Sequence, residues 1–109
     1  MSTDAAAIAQ LAAAGADLSS PHIILHYIYV PNRGSADSIA NELRQRGFRI
    51  EVRLSADLVN WLVLATHDVI VSEALMISTR RSMEALIAKF GGGEYDGWEA
   101  EVRPHAKSN

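Results

Sequence analysis

The sequence predicts an α+β fold in which a four-stranded antiparallel sheet carries two helices on one face. After an N-terminal helix, strand and helix patterns follow in the order βαββαβ. Two of the four strands are apolar on both faces, as central strands are, while the other two alternate with charged residues, as edge strands do. Right-handed crossovers then give the strand order 4-1-3-2, which is a ferredoxin-like arrangement.

The N-terminal helix is predicted over Asp4 to Ala14, a run of good helix formers that ends at Gly15. Its apolar stripe is narrow, because only Ile8 and Leu11 contribute large side chains. A helix with so little apolar surface frays unless it packs on a larger unit. We therefore expect it to lie against the rest of the domain.

The first half of the core is predicted as strand, helix and strand. The strand over His22 to Val30 is apolar on both faces and stops at the turn signature Pro31 to Gly34. Ser35 is expected to cap the helix, with Asp37 in its first turn to complement the helix dipole. The segment Phe48 to Leu54 then alternates strictly between apolar and charged residues, which is typical of an edge strand.

The second half repeats the order strand, helix and strand. Asn60 to His67 is the second doubly apolar strand, and a long helix is expected to begin near Ser72 and end at Gly91 to Gly93. The last strand is predicted over Tyr95 to Arg103, with alternating acidic residues. The long helix is expected to turn four charged side chains towards water: Arg80, Arg81, Glu84 and Lys89.

One face of this sheet has no predicted partner within the core. Leu25, Tyr27 and Tyr29 of the first strand point away from the two core helices. An apolar patch of that kind is normally covered. We expect the N-terminal helix or a second subunit to cover it, so a homodimer is one candidate assembly.

Composition and charge exclude several classes of protein. The net charge of -3 and the isoelectric point of about 5.7 argue against a protein that neutralises phosphates with a basic stripe. The absence of cysteine excludes disulfides and thiolate chemistry. No apolar run approaches the roughly 20 residues that span a bilayer, and Asp4 stands where a signal peptide carries positive charge. We expect a cytoplasmic protein without membrane association.

The length of 109 residues suits one domain. Its predicted parts are an N-terminal helix, an α+β core and a tail, over residues 1–17, 21–103 and 104–109.

No set of residues predicts catalysis, a metal or a cofactor. His22 and His26 are four apart on a strand, which separates them by roughly 13 Å, too far to share one ion. We interpret them as surface or strand-end histidines. Glu99 and Glu101 share one face of an edge strand and could form an acid–base pair, but such carboxylates more often keep sheet edges from associating.

The open sheet face raises the question of RNA binding. RNA-recognition modules of this topology stack bases on aromatic side chains, and Tyr27 and Tyr29 lie on the corresponding face. The third strand, however, lacks the basic and aromatic RNP pattern, and the chain is acidic. We therefore do not expect direct binding of nucleic acid.

The glycines near the C-terminus raise a different alternative, a phosphate-binding loop. Such loops run from a strand into a helix, whereas Gly91 to Gly93 run from a helix into a strand. Glu94 and Asp96 would also repel an anion. We interpret the glycines as the end of the helix, in conformations with positive φ, and as the entry to the last strand.

Alternation along the last strand predicts where its side chains point. Asp96 and Trp98 are expected to face the helices, with Trp98 in the core. Asp96 is expected to meet either Arg33 or the free backbone amides around Ser35, at the start of the first core helix. Gly97 is expected to leave room on the opposite face, and Tyr95 to be exposed there.

Four segments together resemble one family, the ribonuclease E inhibitor RraB family (regulator of ribonuclease activity B). They are LSSPHIILHYIYVPN, IANELRQRGFRIEVR, WLVLATHDV and FGGGEYDGWEAEV. The resemblance covers about Leu18 to Val102 and is most specific in the last segment. The motif residues, which we interpret as mainly structural, are Gly92, Gly93, Glu94, Tyr95, Asp96, Gly97, Trp98 and Glu99.

The resemblance implies a small cytoplasmic bacterial protein with a ferredoxin-like fold and no catalytic residues. It also implies a protein partner, ribonuclease E, whose scaffold part the best-known member binds, lowering the activity of the enzyme. The alternative is a small-molecule-binding or regulatory ferredoxin-like domain with no ribonuclease partner, for which a dimer is one candidate assembly. The candidate partner-binding residues are Arg49, Glu51, Arg53, Tyr95, Glu99 and Glu101.

Overall fold

A computed structural model describes residues 3–101 of the chain, so Val102, Arg103 and the predicted tail lie outside the described residues. The elements in chain order are α1 (Thr3–Ala13), β1 (His22–Val30), α2 (Arg33–Gln45), β2 (Arg49–Leu54), β3 (Trp61–Val69), α3 (Glu73–Lys89) and β4 (Glu94–Ala100). No helix within residues 3–101 is both long and apolar enough to cross a membrane.

The four strands form one open antiparallel sheet in the order β2-β3-β1-β4. This is the predicted order 4-1-3-2 counted from the other edge, so the α+β class and the strand order are confirmed. The strands that are apolar on both faces, β1 and β3, are the two central strands, as predicted.

The hydrophobic core lies between the sheet and the helices. One cluster joins α2 and α3 to the inner face of β1 and β3, and it includes Ile28, Val63 and Met83, all fully buried. A second, smaller cluster lies beside β4 and joins Ile24 to Met76 at the start of α3. The alternating burial along β1 matches its predicted pleat, with every second residue buried.

The start of α2 differs from the prediction, since Asn32 and not Ser35 is the N-cap. The Asn32 side-chain oxygen accepts a hydrogen bond from the Ser35 backbone N–H at 2.8 Å. The Ser35 hydroxyl instead donates to the Phe90 carbonyl at 2.7 Å and ties the start of α2 to the end of α3. Asp37 lies beyond the first turn and pairs with Arg33 at 3.6 Å.

The position of α1 corrects a second expectation. This helix packs beside α3, and Ile8 joins the smaller core cluster on the helix side of the sheet. It therefore does not cover Tyr27 and Tyr29. An ion pair holds the helix there, because the buried Asp4 carboxylate binds Arg80 of α3. The prediction that Arg80 faces water was therefore wrong.

A β-bulge in β4 corrects the predicted orientation of its side chains. Trp98 lies opposite His26 and Tyr95 opposite Ile28, so β4 uses three steps where β1 uses two. Gly97 supplies the positive φ of +105° at this irregularity and does not serve to leave room for a neighbour. As a result Tyr95 and Trp98 both pack among helix-side residues, while Asp96 is exposed.

The glycines after α3 end the helix, as predicted. Gly91 and Gly92 have positive φ, and the Gly92 N–H donates to the Ile87 carbonyl at 2.8 Å. Gly93 has a separate role, because an added Cβ would lie 2.5 Å from the Tyr29 carbonyl oxygen and 2.8 Å from Val30. Only glycine lets β4 approach the end of β1 this closely.

We predict that Gly93→Ala lowers the free energy of unfolding by about 2–4 kcal/mol, because it combines backbone strain with overpacking. Gly92→Ala is the matched control, since an added Cβ at Gly92 meets nothing within 4 Å and only the positive φ opposes it. Its cost should be about 1–2 kcal/mol. Urea denaturation of both variants measures the difference, and equal losses would contradict the steric role of Gly93.

Candidate protein interface

The outer face of the sheet is open and carries a strip of apolar and aromatic side chains. None of these residues belongs to either core cluster. They are half-buried and come from the centre of the sheet: Ile23, Leu25, Tyr27, Tyr29 and Leu64. We call this set the central strip.

Charged side chains flank the central strip on both edges. Glu51 of β2 lies opposite Leu64, and Glu99 of β4 lies opposite Leu25, which places both on the open face. By alternation the same face carries Arg49, Arg53 and Glu101. The structure therefore brings together five of the six candidate residues predicted from the sequence. The sixth, Tyr95, lies on the inner face because of the bulge.

Contacts among these charged residues cover part of the central strip. Tyr27 donates its hydroxyl proton to Glu99 at 2.9 Å, and burial together with this carboxylate raises the pKa of Tyr27. Arg53 pairs with Glu51 at 2.6 Å, and Arg49 with Asp68 at 3.3 Å. The β2 side is thus close to neutral, so the negative charge of the face is concentrated along β4.

The β4 edge carries four exposed carboxylates, which do not pack against the inner face of the sheet. Glu94 lies opposite Tyr29 at the start of the strand, and Asp96 is exposed at the bulge. Glu99 and Glu101 follow towards its end. We call these four residues the acidic edge.

A buried polar cluster lies beneath this strand, on the inner face of the sheet. His26 is fully buried, with its Nδ1 atom 2.8 Å from the Tyr95 hydroxyl and its Nε2 atom 2.9 Å from Nε2 of His67. The Phe48 ring stacks on His67 with a centroid separation of 4.6 Å. The interpretation of His26 as a surface or strand-end histidine was wrong, and its place between Ile24 and Ile28 in the alternation was the available signal.

The hydrogen bonds of this cluster fit two sets of proton positions. Either Tyr95 donates to His26 Nδ1 and the His26 Nε2–H donates to His67, or the His26 Nδ1–H donates to Tyr95 and the His67 Nε2–H donates to His26. Both imidazoles are neutral in each set. Burial lowers the pKa of His26 to about 3, with further contributions from His67 and Arg80, and burial lowers the pKa of His67. Burial also raises the pKa of Tyr95, which keeps its proton.

The polar cluster continues through Arg80 to α1. The Arg80 guanidinium lies 5.0 Å from the centre of the Tyr95 ring and binds both carboxylate oxygens of Asp4, at 2.8 and 3.2 Å. Trp98 donates its indole N–H to the same carboxylate at 2.9 Å. These bonds lower the pKa of Asp4. Asp4 and His26 are buried and the other four members are half-buried. We call this set the buried polar network: Asp4, His26, His67, Arg80, Tyr95 and Trp98.

The described part of the chain offers no arrangement for metal chemistry. Within residues 3–101, no three His, Cys, Asp or Glu side chains converge on a point where they could hold an ion. His26 and His67 are joined by a hydrogen bond and both rings contact Phe48. Their geometry supports a structural role.

Comparison with protein families identifies the chain. Residues 2–100 match the family described as RraB, regulator of ribonuclease activity B. The chain belongs to the RraB family. No curated protein sequence matches it significantly.

In this RraB family member the C-terminal motif divides into two sets of residues. Tyr95 and Trp98 point inward and complete the buried polar network, while Gly93 and Gly97 shape the backbone around them. The acidic residues of the motif lie outside this network: Glu94, Asp96 and Glu99. The inward residues hold the strand to the core, whereas the side chains of the outward residues are exposed.

We predict that this RraB family member loses stability in mild acid. The folded pKa values of His26 and His67 lie below the unfolded value of 6.5, so below that pH the unfolded chain binds protons that the folded chain does not. The free energy of unfolding should fall by up to about 1.4 kcal/mol per pH unit for each such histidine. Between pH 6.5 and about 4.5 most carboxylates remain charged. A change in the free energy of unfolding within this pH range therefore comes mainly from protonation of the histidines.

Urea denaturation at several pH values measures the slope. His67→Gln keeps an oxygen that can accept the His26 N–H but removes one titrating group, so its slope should be shallower. His22→Asn is the control, because His22 lies outside the network, and its slope should match that of the original chain. A free energy of unfolding that stays constant from pH 6.5 to 4.5 would contradict the neutral histidine pair.

Proposed function

We propose that the chain is a non-catalytic regulator that binds ribonuclease E through the open face of its sheet and lowers the activity of the enzyme. The observation that carries this proposal is the open face itself, where an aromatic strip lies between charged edges. Membership of a family of ribonuclease regulators supports the choice of partner. A cytoplasmic location, where that enzyme would be met, is part of the proposal.

The central strip has the chemistry of a protein interface. Tyrosine and arginine are enriched at interface centres, since they combine a large contact area with hydrogen-bonding groups. Tyr27 and Tyr29 lie in the middle of the strip, and Arg53 lies at its β2 side. A partner that displaces the Glu51 side chain from Arg53 would gain access to more of the apolar surface.

The acidic edge favours a basic partner segment over nucleic acid. Its four carboxylates would repel phosphates and attract lysine or arginine side chains. Because β4 ends the sheet, its outer backbone edge is also open to an extended segment. Together these features support binding of a basic, extended part of the ribonuclease.

We predict that the double variant Glu99→Lys/Glu101→Lys raises the Kd for ribonuclease E by about tenfold or more at low salt. The loss should shrink at high salt, because screening weakens the attraction in the original chain. Inhibition of ribonuclease activity should be lost in parallel. Calorimetric titration with purified ribonuclease E measures the Kd, and cleavage of a labelled RNA measures the activity.

The control variant is Asp37→Lys/Glu42→Lys, which makes the same change of charge on α2, on the helix side of the sheet. It should bind ribonuclease E as the original chain does. If both double variants weaken binding equally, the effect comes from the net charge of the chain and not from the acidic edge. If the original chain does not bind ribonuclease E, the proposed partner is wrong.

A further inference from the structure

The most exposed apolar side chains of the described residues lie at one turn of the sheet and not on the open face. Leu58 and Val59, in the turn between β2 and β3, are 75% and 70% exposed. Leu54 at the base of the turn is 40% exposed. We call residues 54–59 the hairpin tip. Single exposed apolar residues are common on protein surfaces. Two adjacent, strongly exposed apolar residues in one turn are less common, and closing the turn does not require them.

The hairpin tip is held in a fixed shape. Asp57 accepts hydrogen bonds from the backbone N–H groups of Val59 and Asn60, each at 2.9 Å, and from the Asn60 side chain at 2.7 Å. Leu58 has a φ of +61°, a conformation that glycine or asparagine adopts at lower cost than leucine. The turn thus holds a leucine in a conformation unfavourable for leucine, with its side chain exposed to solvent.

The surroundings of the hairpin tip are aromatic and basic. Trp61 lies opposite Leu54 at the base of the turn, and the Arg33 guanidinium lies 5.4 Å from the centre of the Trp61 ring. Arg53 adjoins Leu54 and pairs with Glu51 at 2.6 Å, while Arg33 pairs with Asp37 at 3.6 Å. Both pairs are exposed, so carboxylates of a partner can replace Glu51 and Asp37 at low cost. A surface that receives this tip should therefore be apolar at its centre and acidic at its rim.

A surface of that description exists on the same chain. A shallow pocket of about 410 Å³ lies between the end of α3 and the start of β4. Its walls include Ile87, Ala88 and Tyr95, and its lining also includes two carboxylates, Glu84 and Glu94. We call it the α3–β4 pocket. Its volume falls at the lower end of the range of small-ligand sites.

The tip and the pocket lie at the same end of the sheet. Leu54, Trp61 and Val30 are neighbours in the strand register at that end, and Glu94 pairs with Tyr29 beside them. The tip belongs to the β2 side and the pocket to the β4 side. A twofold axis perpendicular to the sheet at this end exchanges the two sides, so each tip would face the pocket of the other copy.

We propose that two copies of the chain associate end to end, with the hairpin tip of each seated in the α3–β4 pocket of the other. The apolar side chains of the tip meet the apolar walls, and the arginines beside the tip meet the glutamates of the pocket. Because the same contact forms twice, a small surface on each copy suffices for a closed dimer. We therefore expect a weak, concentration-dependent dimer. This proposal does not rest on ribonuclease binding, although Arg53 and Glu94 also belong to the charged edges of the open face.

Sedimentation velocity at increasing protein concentration, up to roughly 1 mM, tests the proposal. The original chain should shift from monomer to dimer. Leu58→Asn should raise the dimer Kd by about tenfold or more, as loss of a central apolar anchor does. The same variant should melt at a higher temperature, because asparagine relieves the positive φ. Ala88→Arg should also raise the Kd, because it fills the pocket from an exposed helical position.

Ile70→Asn is the matched control, because Ile70 is another large apolar residue, 54% exposed, at the opposite end of β3. It should leave the Kd unchanged. A chain that remains monomeric throughout overturns the proposal. So does a dimer that Leu58→Asn and Ala88→Arg leave intact, or one that Ile70→Asn weakens equally.

Discussion

The fold depends on a line of buried polar groups that begins at Asp4 in α1 and ends at His67 in β3. Arg80 connects them, because it binds the Asp4 carboxylate and also lies against the Tyr95 ring, and Tyr95 in turn bonds His26. Buried groups of this kind stabilise a fold only when every member has a partner. Removal of one member leaves the next group buried without a partner, which is more costly than loss of the bond itself.

This network occupies the inner side of β4 and leaves its outer side exposed. The bulge at Gly97 turns both Tyr95 and Trp98 inward, where they hold α1, α3 and β1 together. The carboxylates of the same strand then remain outside. One short segment can therefore contribute both to the core and to the acidic edge, because the side chains that pack inward and the carboxylates lie on opposite faces of β4.

Sequence patterns predicted the strands and their order because those follow from local alternation and from right-handed crossovers. They failed where partners are distant in the chain. Asp4 and Arg80 are 76 residues apart, so nothing in either segment shows that α1 docks on α3. The single extra residue at the bulge reversed the predicted sides of Tyr95 and Asp96, and strict alternation cannot show such an insertion. On the open face, where the alternation of β2 and of Glu99 is regular, the predicted outward orientation of these side chains agrees with the strand register.

A double-mutant cycle between Asp4→Asn and Tyr95→Phe tests most directly whether the buried polar groups act as one unit. The two residues are bridged by Arg80, so each substitution should change the cost of the other. We predict that the free energies of unfolding from urea denaturation differ from additivity by about 0.5–3 kcal/mol, the range for residues in one network. Additivity within about 0.3 kcal/mol, as for distant independent sites, would show instead that α1 and the histidine pair are held separately.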